Sequence, residues 1–68
     1  MKVHAYFFIS DSGDEYSAIV KSDSKPLTVY QAIETFKWDD VCKWKNDGYK
    51  PEEIPYTTFI VETLDLDE

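Results

Sequence analysis

Val3-His4-Ala5-Tyr6-Phe7-Phe8-Ile9-Ser10 is the stretch that decides the fold. It is rich in β-branched and aromatic residues. A two-residue period divides it into two faces, Val3, Ala5, Phe7 and Ile9 on one and His4, Tyr6 and Phe8 on the other. It is the most hydrophobic strand candidate in the chain, which predicts that it lies at the centre of a sheet. Asp11-Ser12-Gly13-Asp14 follows as a turn, with Gly13 free to take positive φ and the Asp and Ser side chains able to bond their own backbone. Tyr16-Ser17-Ala18-Ile19-Val20-Lys21 then reads as the returning strand of a hairpin.

Beyond the hairpin, Ser22-Asp23-Ser24-Lys25-Pro26 is a loop, and Pro26 biases Lys25 away from helix. Thr28 stands three residues before Gln31, the spacing of a capping box, with Leu27 before it as half of a hydrophobic staple. Helical pattern runs on to Asn46 or Asp47. Gly48 suits the position after a helix end, and Tyr49 is placed to pack back on Trp44. A single helix over 28–47 would be roughly 29 Å long. Val29, Ala32, Ile33, Phe36 and Trp44 share one stripe of it, whereas Trp38 points away from Val29. The alternative is a break near Lys37-Trp38-Asp39, with a second helix over 40–46.

Pro51 and Pro55 bound a loop. Tyr56 to Leu64 is the third strand, in which Thr57, Thr58, Phe59, Ile60 and Val61 are all strand formers. The reading is a single α+β domain over 1–68, with a frayed acidic tail at about 65–68. Its element order β-β-α-β predicts a three-stranded antiparallel sheet in order 2-1-3. One long or kinked helix packs on one face, reached by a right-handed crossover.

Fourteen Asp and Glu stand against seven Lys, with no Arg, for a net charge of −7 on 68 residues. Nucleic-acid binding needs a basic footprint, so direct binding to nucleic acid is not expected. Anionic membranes are disfavoured on the same ground. The content of 43% hydrophobic and 16% aromatic residues nevertheless separates the chain from disordered acidic tails. One cysteine and an N-terminus read as a strand rather than a signal peptide point to a reducing cytoplasm.

No motif for catalysis, metal or cofactor emerges, so an enzyme is not expected. His4 and Cys42 are each the sole residue of their type, and a nucleophile pair would need contact and an orienting third group. Asp11, Asp14 and Glu15 bunch at the hairpin turn without the spacing of a calcium loop. The adjacent pairs Asp39-Asp40 and Glu52-Glu53 read as solvated charge. Gly13 and Gly48 are isolated and make no phosphate loop.

Binding to a protein is the expectation that remains, and two features suggest it. Nine of the fourteen acids lie in the second half of the chain. Around aromatic anchors they would imitate phosphates and block a basic, nucleic-acid-handling protein. Trp38, Tyr49 and Tyr56 would be the anchors, and Asp39, Asp40, Glu52 and Glu53 the surrogates. In composition the chain resembles small acidic accessory proteins of phages and mobile elements, which act stoichiometrically. The alternative is a structural homodimer or small assembly subunit. Its interface would be an apolar outer face of the sheet, carried by Tyr6 and Phe8 with Tyr56, Ile60 and Leu64 beside them.

Overall fold

The computed structural model describes residues 1–66. Strands β1 (Lys2–Ser10), β2 (Glu15–Lys21) and β3 (Tyr56–Asp65) form one antiparallel sheet in order β2-β1-β3. Helices α1 (Val29–Thr35) and α2 (Asp39–Asn46) and a 3₁₀ turn (Pro51–Glu53) fill the connection between the two edge strands. The α+β fold, the strand order and the antiparallel pairing are those expected. β3 runs one residue further than its pattern indicated. Asp65 pairs with Lys2, and the Leu66 amide donates to the Met1 carbonyl. Of the expected tail, Asp67 and Glu68 lie outside the described residues.

Local signals work as chemistry dictates. The Thr28 hydroxyl accepts from the Gln31 amide while the Gln31 side chain accepts from the Thr28 amide, which satisfies two orphan donors of α1. Gly48, at φ 97°, ends α2 in the left-handed region. Its amide reaches the Lys45 carbonyl, and the Tyr49 amide reaches that of Trp44. The Tyr49 ring meets the Trp44 ring edge-on at 4.6 Å. Gly13, at φ 91°, closes the β1–β2 turn through a bond from its amide to the Ser10 carbonyl.

The helix is not continuous. Phe36 and Trp38 are both extended, with ψ of 132° and 142°, and α2 starts afresh at Asp39. In an unbroken helix Trp38 would point away from the sheet. The break turns it inward, 4.9 Å from the Phe8 ring and 5.2 Å from that of Phe36. Burying roughly 200 Å² of indole contributes about 4–5 kcal/mol as an upper bound. Each helical hydrogen bond forgone costs about 1 kcal/mol, and the Asp40 amide recovers a partner in the Tyr16 hydroxyl. Burial therefore wins. Lys45 then staples the two helices, donating from Nζ to the Ile33 carbonyl at the open end of α1 and to Glu34.

The faces of β1 are the reverse of the expected assignment. Tyr6 and Phe8, expected on the outer face, are 1% exposed and lie under the helices. His4 and Ser10 join them in burial. Val3, Ala5, Phe7 and Ile9 therefore line the opposite side. The physical reason is that the inward face has partners for its polar atoms. His4 Nε2 donates to the Ser24 carbonyl at 2.8 Å, and its Nδ1 lies 2.9 Å from the Thr63 hydroxyl. The Tyr6 hydroxyl accepts from the Leu27 amide, and Ser10 donates to Asp40. Once paired, these groups cost little to bury, and their rings add area that Ala and Val lack.

The reversal predicts different costs for neighbouring phenylalanines. Phe8→Ala should destabilise the domain by about 3–5 kcal/mol, and Phe7→Ala by less than about 1 kcal/mol. Urea unfolding of the two variants measures both; the opposite ranking would restore the other face as core.

Candidate functional site

The residues expected to imitate phosphates do not form one surface. Trp38 is 8% exposed and belongs to the core, stacked on Phe8 and flanked by Tyr16, so it is not an available anchor. Asp39 is the first residue of α2 and exposed; Asp40 is the second and half-buried. The Asp40 carboxylate is already engaged, accepting from the hydroxyls of Ser10 at 2.7 Å and Ser12 at 3.0 Å. It ties the start of α2 to the β1–β2 turn. One Glu53 carboxylate oxygen accepts from the Lys50 amide and closes the 3₁₀ turn, while Glu52 is exposed beside it. Tyr49 and Tyr56 are partly exposed, but Tyr49 leans on Trp44 and Tyr56 lies 5.6 Å from the Phe8 ring. Tyr56 is thus on the helix side of the sheet, not with Ile60 and Leu64. The register shift between Ile9 and Ser10 changes the phase of β3 at this point.

The acid at the turn shows how local partners set charge. Asp14 stands beside Asp40, which holds the Asp14 carboxyl above its ordinary range by sharing a proton and by repulsion. The hydroxyls of Ser10 and then Ser12 hold Asp40 below its range, against the effect of partial burial. Partial burial pushes the Tyr16 hydroxyl up. Among the described residues, no group of three or more His, Cys, Asp or Glu side chains is placed to hold a metal ion. Cys42 is a free, half-buried thiol on α2. His4 spends both ring nitrogens on Ser24 and Thr63, and no hydrogen bond joins it to Cys42.

The outer face of the sheet, the alternative interface expected, carries Ile60 and Leu64 as expected, but Phe7 and Ile19 in place of Tyr6, Phe8 and Tyr56. Antiparallel partners share a face, so Val3 stands with Lys21 and Leu64, Ala5 with Ile19 and Glu62, Phe7 with Ser17 and Ile60, and Ile9 with Glu15 and Thr58. Phe7 is 43% exposed, Ile60 49%, Leu64 65% and Ile19 74%. The exposed large hydrophobics on the helix side, Tyr30, Tyr49 and Tyr56, each carry a hydroxyl for water. Those on the sheet face have no polar side-chain atom. Both helices and the 3₁₀ turn lie on the other side, and nothing among the described residues covers this one. Its signal in the sequence is the two-sided apolar pattern of β1, which does not by itself select a side.

No helix among the described residues is long and apolar enough to cross a membrane. Compared with protein-family models, curated proteins and solved structures, the chain matches none.

The two carboxylates at the turn predict a pH signature. Asp40 has a lowered folded pKa, so its contribution to stability is full above the ordinary carboxylate range and is lost as pH falls through it. Asp14 has the opposite sign: its raised pKa favours the fold at low pH, and that contribution is lost as pH rises through its folded value. Carboxyl ¹³C titration should show Asp14 protonating well before Asp40 as pH is lowered. Ser10→Ala should move Asp40 upward, and Asp40→Asn should return Asp14 toward an ordinary aspartate. Coincident titrations that neither variant alters would show that the contacts do not form.

Proposed function

We propose that this protein is a binding module, working stoichiometrically on a protein partner through the uncovered face of its sheet. The observation that supports this most strongly is the exposure of Phe7, Ile19, Ile60 and Leu64 together on one face. Exposed apolar side chains gathered on one surface usually mark an interaction site. A domain of 68 residues also has little core to spare, and four large side chains left in water forgo stability that burial elsewhere would supply. The single free thiol suits a reducing cytoplasm.

Imitation of phosphates draws less support. One proposed anchor is in the core, two of the four proposed surrogates are bound to the fold, and Glu62 lies on the sheet face, away from the others. The acidic balance then serves solubility, offsetting the tendency of an exposed apolar face to aggregate.

The test uses the immobilised chain, with Phe7→Lys and Ile60→Lys on one side and Asp39→Lys with Glu52→Lys on the other. Retained proteins, a tagged second copy included, should be lost with the sheet-face variants and kept with the acid reversals. All variants should hold the circular dichroism of the parent and unfold cooperatively. Retention that follows the acid reversals and ignores Phe7 would overturn the proposal in favour of electrostatic imitation.

A further inference from the structure

We infer that the occupant of the open sheet face is a second copy of this chain, packed face to face with its strands antiparallel to those of the first. This rests on the binding reading above and names its partner. The two-fold axis lies in the interface at right angles to the strands and passes midway along the Val3–Ile9 run. Each strand then faces its own copy, with the order of its residues reversed.

That operation pairs large side chains with small ones. Phe7 of one protomer meets Ala5 of its partner, Ile19 meets Ser17, and Leu64 meets Thr58, each contact occurring twice. Lys21, at one end of β2, meets Glu15, at the other, also twice. Of the apolar side chains only Ile60 meets a charged one, Glu62, whose stem can lie along it while its carboxylate leaves at the edge strand. The depression beside Phe7, about 500 Å³ in volume and lined partly by Ile9, Ser17, Thr58 and Ile60, is the recess this packing fills. The other face-to-face two-fold, with its axis along the strands, is worse. It sets Phe7 on Phe7, Ile19 on Glu62 and Leu64 on Lys21, so that bulk meets bulk and charge meets hydrocarbon. Self-complementarity of both shape and charge under one operation is what an isologous interface requires.

Size and charge bear on how the pair associates. Seven residues on each of three strands span roughly 24 by 14 Å. Allowing for side-chain relief, two copies would bury about 1,000–1,200 Å² in total, the lower edge of specific interfaces, a size common among weak, reversible associations. Each copy carries −7, but among the described residues the paired positions of this face carry only Glu15, Glu62 and Lys21 as charges. The remaining repulsion acts over a longer range and is screened as the Debye length falls from about 10 Å at 0.1 M to about 3 Å at 1 M salt. The dimer should therefore tighten with salt, the opposite of binding to a basic partner.

Sedimentation equilibrium on the full chain, from 5 μM to 1 mM and in 0.1 and 1 M sodium chloride, tests this. The parent should show a monomer–dimer equilibrium that tightens at high salt, and Phe7→Lys should abolish it. Lys21→Glu alone and Glu15→Lys alone should each weaken it about tenfold, and the double exchange, which restores both pairs at the parent's net charge, should recover it. A parent that stays monomeric at 1 mM and high salt would overturn the inference, as would a dimer indifferent to Phe7→Lys. Tightening by Glu15→Lys, or no recovery in the double exchange, would overturn the antiparallel arrangement. If the parent is monomeric yet the immobilised chain still retains another protein in a Phe7-dependent way, the binding reading stands and the second copy is the wrong partner. Loss of both would end both.

Discussion

The Phe8–Trp38 stack, with ring centroids 4.9 Å apart, is the contact on which the rest of the structure depends. Phe8 lies on the central strand, and Trp38 is the residue at which the helical connection breaks. Bringing the two together sets which face of the sheet the helices cover. It also places Phe36 and Tyr16 around the indole and seats Val41, Ile33 and Ile54 beneath. In a chain this short few alternative cores are available, and the aromatic rings supply the area that aliphatic residues do not. The hydrogen bonds that Tyr6, His4 and Ser10 take part in are then made at the rim of this cluster. They tie the loop before α1, the end of β3 and the start of α2 to one strand.

Elements with local chemical causes were legible in the sequence. The capping box at Thr28, the Gly48 ending, the Gly13 turn and the three strands are each written in adjacent residues. Sheet order followed from the hydrophobicity of β1. The side of the sheet did not, because both of its faces are apolar and the deciding contacts are distant. Counted by side-chain character, Val3, Ala5, Phe7 and Ile9 look the better core. The competing set contains His4, Tyr6 and Ser10, whose polar atoms are paid for by Ser24, Thr63, Leu27 and Asp40, at separations of 20 to 59 residues. No local pattern carries that information. The same blindness placed Trp38 and Asp40 on a binding surface, when one is core and the other a structural tie.

Reversal of the faces has a functional consequence. It leaves Phe7, Ile19, Ile60 and Leu64 in water, side chains without any polar atom, on a chain whose remaining surface is strongly acidic. An acidic shell around one apolar face keeps the domain soluble while leaving a single direction for association. Strand pleating then turns a one-residue choice in β1 into the difference between an interface made of Tyr6 and Phe8 and one made of Phe7 and its neighbours.

The most direct measurement is a two-dimensional NOE spectrum of the chain in dilute solution. Strong cross-peaks are expected from the Trp38 indole protons to the rings of Phe8, Phe36 and Tyr16, with none to Phe7. Cross-peaks from Trp38 to Phe7 or Ile9, with Phe8 isolated from the helices, would contradict this packing.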